Sequence, residues 1–413
     1  MRTDVIVVGA GPAGLSAAVA LAEGGRDVRL IARGNGFTHW APGAVDVLAR
    51  AGGEAVEQPL AGIDRLPERH PYRIIGADAV RRGIDRFTRF AEAAGLRYEG
   101  TLDANRWQVT ALGTVRPTAL LPEPSARPLT GKIVALGFDG FRDFAPALCA
   151  KGLSDRGYQA SPASVELPPW DHERHFFAMD LARALDDAGW RAKVADRMGP
   201  AVRGADTVVV PAVLGLATGH QAWADLESRL GTRLVEAALV PPSVPGMRLY
   251  AAWVAKLRDL GVRLQIGFPA IEIATEGGKI KGVVTEGAAR PILNRCNEVV
   301  LATGGVPGRG IEANRDGSLT EVVAGLPVRG FEHRSGFLAQ RFFDDQPLAG
   351  AGVEVDDELH PLDTGGDPAL AGLRCAGGLL AGHDPVAEGS REGVALSTAS
   401  RAAELLTGAP ATV

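Results

Sequence analysis

Six residues near the start of the chain carry the strongest chemical signal. Gly9-Ala10-Gly11-Pro12-Ala13-Gly14 reads GxGxxG, directly after Asp4–Val8 (DVIVV) and before an alanine- and leucine-rich run. In a strand–turn–helix, the first glycine permits the tight turn and the second lets a phosphate approach the backbone. The third lets helix and strand pack closely. Free N–H groups and the helix dipole then favour an anion there. A carboxylate is expected about 20 residues on, to bind an adenosine ribose. The chain has Ile31-Ala32-Arg33 instead. Arg33 meets a 2′-phosphate, or the dinucleotide is held differently, or the ligand is a mononucleotide; Arg33 as a solvated surface residue is the plain alternative.

Two later segments narrow the chemistry to flavin. Glu298–Gly305 (EVVLATGG) follows a hairpin pattern, as where two-dinucleotide-binding flavoproteins return to their first domain. Cys375–Ala399 has the form of their closing motif, a strand and glycine-rich loop followed by a helix aimed at the flavin ring. N–H groups and the dipole at that helix start would stabilise charge on a reduced flavin. The expected cofactor contacts are Gly9, Gly11, Pro12, Ala13, Gly14, Arg33, Gly43, Thr303, Gly304, Gly305, Gly377, Gly378, Asp384 and Gly393. FMN is expected ahead of FAD. FAD's ribose would lose one or two charge-assisted hydrogen bonds at Ala32-Arg33, worth about 1.5–3 kcal/mol each.

These residues need elements to position them. Strand, turn, helix and a second strand, Asp27–Ala32, make a βαβ unit. Residues 34–43 form a glycine-rich loop, and Val80, Ile84 and Phe87 recur at helical spacing within about 78–94. Trp107–Leu120 reads as two strands around Gly113. Lys132–Phe138 and Asp206–Pro211 are strands with helical patterns near 142–152 and 173–189 between them. Pro241, Pro242 and Pro245 mark the return, a helix covers Met247–Leu260, and Ile271–Thr285 is a hairpin around Gly277-Gly278. The last helix is expected over about 393–406.

The expected fold is α/β: a Rossmann-like flavin-binding domain of the two-dinucleotide-binding flavoprotein type with an inserted α/β domain. Residues 1–54, 241–309 and 371–413 would form the flavin domain, 55–240 the insertion and 310–370 a small substrate or cap region.

Composition excludes several classes. The 413 residues carry 44 basic and 49 acidic side chains, a net charge of −5 with no basic footprint for nucleic acid. Cys149, Cys296 and Cys375 are far apart and no CxxC occurs. A disulfide scaffold, structural zinc or iron–sulfur cluster built by this chain is not expected, nor any metal. Val5–Leu21 is apolar but broken by Gly9, Gly11, Pro12 and Gly14, so it reads as neither signal peptide nor membrane span. No Ser-His-Asp order or HExxH spacing supports a hydrolase.

The sequence resembles the B-subunit family of anaerobic glycerol-3-phosphate dehydrogenase from the N-terminus to about residue 405. The resemblance rests on GAGPAGL, ARGNGFTHWAPGAVDVL (32–48), HPYR (70–73), VTALGTVRPTALL (109–121), KIVALGFDGFRDF (132–144), VPAVLGLA (210–217), VPPSVPGMRL (240–249) and GHDPVAEG (382–389). It implies an FMN-binding partner of an FAD-bearing A-subunit, with an iron–sulfur C-subunit passing electrons to menaquinone. It implies a cytoplasmic protein held at the inner face of the membrane through the complex, in anaerobic glycerol metabolism. The chain departs from the family at His383, where an aromatic is usual, and at Ser390-Arg391-Glu392, which interrupts a glycine run.

Oxidising glycerol 3-phosphate to dihydroxyacetone phosphate needs hydride transfer to flavin and a base for the hydroxyl proton. His39 and His383 are the candidates. The substrate phosphate would be met by arginine, and Arg248, Arg334 and Arg341 are the candidates. Two other readings stand beside this one: a stand-alone FAD oxidoreductase of the fumarate-reductase or amino-acid-oxidase kind, and a non-catalytic module for flavin electron relay or assembly.

Overall fold

The computed structural model describes residues 2–170, 176–331, 336–341, 344 and 346–408. In chain order the main elements are β1 (Val5–Val8), α1 (Pro12–Glu23), β2 (Val28–Ala32), α2 (Ala77–Ala93), β3 (Lys132–Phe138), β4 (Gln159–Val165), β5 (Thr207–Pro211) and β6 (Arg233–Ala237). There follow α3 (Val244–Asp259), β7 (Arg263–Ile266), β8 (Ala270–Glu276), β9 (Lys279–Thr285), β10 (Ile292–Arg295), β11 (Glu298–Leu301), β12 (Leu373–Cys375) and α4 (Arg391–Thr407).

The first sheet is parallel throughout, in the order β7-β2-β1-β11-β12. β1 is buried on both faces, which is why it reads as an unbroken apolar run rather than an alternating one. β1 lies between β2 and β11, so the strand order reverses there, and the crevice outside the carboxyl ends at that point is where open α/β sheets bind ligands. α4 packs along α1 and α2. Gly83 of α2 admits this contact, since a Cβ there would meet Ser397. The hairpin β8–β9 is extended by β10 into an antiparallel three-stranded sheet.

The second sheet is also parallel, β4-β3-β5-β6. Sequence patterning does not foretell its edge strands. β4 (QASPASV) is polar and holds Pro162, a composition that only an edge strand tolerates. The helical pattern at 173–189 resolves into Ala178–Ala184 and Ala188–Ala201, separated where the Asp187 side chain accepts from the Trp190 N–H at 2.6 Å. Pro245 is in the first turn of α3 rather than in a linker ahead of it.

Two hydrophobic cores accompany the two sheets. The second takes in residues from Val109 to Val244. The first also holds Val56, Ile63, Tyr72, Val80, Phe87 and Leu102, so the cores do not part at residue 55. Ile311, Val323, Val353 and Leu359 belong to the first core as well, so residues 310–370 do not stand apart from it as a cap.

Candidate functional site

The GxGxxG glycines divide into two kinds. Gly9 has φ +119°, and a Cβ on it would run into the Ala302 carbonyl at the end of β11. A Cβ on Gly14 would run into the Gly9 carbonyl. Both are therefore fixed by packing. Gly11 has φ −79°, and a Cβ there would meet nothing within 4 Å. It is the glycine of the three with open space before it. Pro12 starts α1, whose first backbone bond runs from Leu15 N–H to the Gly11 carbonyl at 3.0 Å. The Ala13 and Gly14 N–H groups precede that bond, so the positive end of the helix faces the turn.

Two further turns converge on this one. Gly377 has φ +73° and lies so close to α1 that a Cβ would be 2.6 Å from the Ala13 methyl. A Cβ on Gly305 would come 2.7 Å from the Gly378 carbonyl. Gly304 has φ +81°, and the Thr303 hydroxyl beside it is buried with no hydrogen-bond partner among the described residues. The loop after β2 crosses from the other side. A Cβ on Gly36 would lie 2.6 Å from the Gly11 nitrogen. In the same loop the Thr38 hydroxyl and His39 Nε2 are buried and unpartnered among the described residues, while Phe37 and Trp40 are exposed. An open glycine face, a helix N-terminus and orphaned polar atoms at one sheet edge are features that fit a phosphate-bearing ligand such as a flavin nucleotide. Arg33 is exposed at the end of β2, with no hydrogen bond or ion pair among the described residues.

Three expected contacts are committed elsewhere. Gly43 is buried against Pro245, and its carbonyl accepts from the Tyr98 hydroxyl at 2.7 Å. Gly393 is buried against Tyr72 and Val47, and its N–H donates to the Asp46 carbonyl at 2.8 Å. Asp384 Oδ1 accepts from the Val386 and Ala387 N–H groups, both at 2.9 Å, and so closes its own turn.

Of the arginine candidates, Arg248 is engaged elsewhere in the fold. Arg248 is nearly buried. Its Nη1 and Nη2 donate to the fully buried Glu236 at 3.0 and 3.1 Å, and its Nε and Nη2 to the Gly215 and Leu214 carbonyls at 2.8 and 3.0 Å. It ties α3 to the second core and has no face left for a phosphate. Arg341 is exposed, with no described contact to the glycine turns. Arg334 lies outside the described residues.

Burial lowers the pKa of both candidate histidines. His39 is half-buried, edge-on to Tyr250 at 4.5 Å, and burial lowers its pKa. His383 is 4% exposed, and its Nδ1 is unpartnered among the described residues. Burial first, then the nearby His70, pushes it down to about 4. His70 Nδ1 accepts from the Tyr72 N–H at 3.0 Å, so its Nε2–H faces Glu388 at 3.1 Å. Burial pushes Glu388 up, but the hydrogen bonds and electrostatic pull of His70, the Asp384 N–H and the Ser390 hydroxyl together outweigh it and hold the carboxyl low.

One titratable group is not singled out by sequence reasoning. Glu392, in the first turn of α4, is 5% exposed, and neither carboxyl oxygen has a partner among the described residues. Burial, reinforced by Asp46, raises its pKa to about 7. Asp46 is itself bound by Arg116 Nη1 at 2.6 Å. The signal is present in the Ser390-Arg391-Glu392 interruption, where a charged residue enters an otherwise small and apolar motif.

Residues 4–394 match the family described as FAD binding domain. A Halobacterium salinarum protein, named as a probable B-subunit of anaerobic glycerol-3-phosphate dehydrogenase, is 34% identical over 96% of each chain. Its Pectobacterium carotovorum counterpart, named without the qualifier, is 33% identical over 98% of each. Among solved structures, a 3-ketosteroid Δ1-dehydrogenase from Sterolibacterium denitrificans covers 98% of this chain and 99% of its own, at 13% identity and a TM-score of 0.48. The matched family is one of FAD binders, so the expectation of FMN as first choice finds no support; a flavin cofactor does.

Proposed function

We propose a function from one premise: the chain belongs to the FAD-binding-domain family and, within it, to the B-subunit family of anaerobic glycerol-3-phosphate dehydrogenase. It is a flavin-dependent oxidoreductase chain. The cofactor is FAD, with its pyrophosphate at Gly11 and the start of α1 and its remainder along the turns at Thr303–Gly305 and Gly377-Gly378. When bound, it supplies a hydride acceptor. The chain's own residues orient it, exclude water and hold protons nearby. The observation that carries this reading is the meeting of three glycine turns at the switch point of the parallel sheet, beside orphaned Thr303 and His39.

The assembled reaction is oxidation of glycerol 3-phosphate to dihydroxyacetone phosphate, with electrons passed to quinone through two partners, an FAD-bearing A-subunit and an iron–sulfur C-subunit. No helix among the described residues is long and apolar enough to cross a membrane, and attachment at the inner face is assigned to those partners. Co-expressing the three chains and assaying dye reduction with glycerol 3-phosphate tests this. Activity must require all three chains or fall sharply without this one.

A second reading is favoured by one observation. Arg248 is sequestered, and no other candidate arginine is tied to the glycine turns among the described residues. The substrate phosphate would then bind on a partner, and this chain would relay electrons. Single-turnover reduction of its flavin by glycerol 3-phosphate in the isolated chain separates the two: reduction supports a substrate site here, and none supports a relay.

A further inference from the structure

The first turn of α4 contains a buried carboxyl with no side-chain hydrogen-bond partner among the described residues. Glu392 has neither oxygen hydrogen-bonded to a described residue. The nearby hydroxyls have spent their protons: Tyr72 donates to the Val47 carbonyl at 2.7 Å, Tyr98 to the Gly43 carbonyl at 2.7 Å, and Ser390 to Glu388 at 2.9 Å. Gly393 N–H is used by the Asp46 carbonyl. Arg391 lies with its guanidinium 6.0 Å from the Phe37 ring. An ionised carboxylate buried without partners is costly, and the usual response is to take up a proton.

Asp46 has the opposite environment. Arg116 Nη1 donates to its Oδ2 at 2.6 Å, and Arg116 Nε is fixed by Gln108 Oε1 at 2.8 Å. Yet Asp46 Oδ1, Arg116 Nη2 and Gln108 Nε2 are all buried and unpartnered among the described residues, and Gln108 is fully buried. Gln108, Arg116 and Asp46 form one hydrogen-bonded chain, and Glu392 feels the Asp46 carboxyl without a hydrogen bond to any described residue.

We propose that Glu392 is a proton-holding residue: its unpartnered, buried carboxyl binds one exchangeable proton near Asp46, at the start of the helix expected to approach the flavin. The first half stands on the chain's own geometry. The second rests on the flavin reading above. The charged and titratable groups around Glu392 are Asp46 in the segment after the 34–43 loop, Arg116 on the Arg106–Thr118 hairpin, Tyr72 and His70 at the short helix Pro71–Ile75, Tyr98 on its strand, Glu388 in the closing loop and Arg391 on α4 itself. Asp46 raises the Glu392 pKa, and Arg116, Arg391 and its own N–H lower it and are outweighed. A proton lost or gained here changes the charge at the start of α4. Negative charge arriving on a neighbouring cofactor would strengthen the hold on that proton.

The test is an infrared titration of the full-length, flavin-free chain. Wild type should show the carbonyl stretch of a protonated carboxyl that disappears through a midpoint near neutral pH. Glu392→Gln should remove that band. Asp46→Asn should lower its midpoint by about one unit or more, because a like charge has gone. A band that survives in Glu392→Gln, a midpoint in the ordinary carboxylate range, or an unmoved midpoint in Asp46→Asn overturns the proposal. Coupling is read separately, in the flavin-loaded chain, as the pH dependence of the flavin midpoint potential. Wild type should inflect near neutral pH, and Glu392→Gln should not. Equal inflection in both overturns the coupling and leaves the titration standing. Flavin content after gel filtration is measured on the same samples, so loss of flavin is not confused with either result.

Discussion

Glu392 and His383 are buried titratable groups that move stability in opposite directions. Glu392 goes from an ordinary 4.5 to about 7 on folding, so between those values the native chain keeps a proton that the unfolded chain has released. Its contribution is present at low pH and is lost as pH rises through that window, on the order of 3 kcal/mol in all. His383 falls from 6.5 to about 4, so its contribution is complete above 6.5 and is lost as pH falls toward 4. Wild type should therefore show little net slope from this pair at mildly acidic pH. The stability of Glu392→Gln relative to wild type should grow as pH rises from about 5 to about 7, read from denaturant midpoints; a constant difference would contradict the assignment. Arg248 makes a different prediction. Removing it in Arg248→Met leaves Glu236 charged and fully buried, at a cost of about 3–5 kcal/mol. Adding Glu236→Gln should recover much of that loss. If Arg248 instead served a substrate phosphate, the single variant would melt like wild type. The sequence offers Arg248 as a phosphate ligand because its partner, Glu236, lies in a β strand that carries no recognisable pattern.

At the scale of elements, the β1–turn–α1 unit is legible because its signals agree: a buried β-branched run, glycines where backbones touch, and proline at the first helical position. The closing helix is legible for its position and not for its contacts. The Gly393 N–H is expected to be free, but the Asp46 carbonyl, from the segment after the 34–43 loop, takes it, and no local pattern announces a contact so distant in sequence. β4 and β6 escape a search for apolar runs because edge strands need no such run on both faces. The glycines of the turn can be told apart by substitution. Gly9→Ala must push against the Ala302 carbonyl and adopt a left-handed φ, so it should cost at least about 1–3 kcal/mol and lower the melting temperature of flavin-free protein. Gly11→Val places its Cβ in open space and weakens only the N-cap of α1, so flavin-free protein should lose no more than about 1 kcal/mol. Its flavin should nevertheless be lost on gel filtration, because the side chain fills the space where phosphate meets backbone. A stoichiometric yellow Gly11→Val protein would contradict the placement of the site.

At the scale of the whole molecule, a parallel sheet with a ligand crevice at its switch point is tied to a second parallel sheet through Arg248 and Glu236. The first sheet is readable from motif order. The extent of the second core is not, because Val56 to Leu102 belong to the first core through packing that sequence spacing does not reveal. With a net charge of −5 and no spanning helix among the described residues, the chain alone should stay behind when anionic liposomes are floated, and co-float only with its partners. The missing carboxylate at Ala32-Arg33 weighs heavily toward FMN when the sequence is read alone. It removes only one or two hydrogen bonds from a large ligand whose affinity is spread over many contacts. The direct test of the central claim is the flavin itself: denature the purified chain, separate the released flavin by chromatography and compare its amount with protein. The expected result is FAD at one per chain. FMN at one per chain, or a folded chain that retains no flavin and takes up none on incubation with FAD, would contradict it.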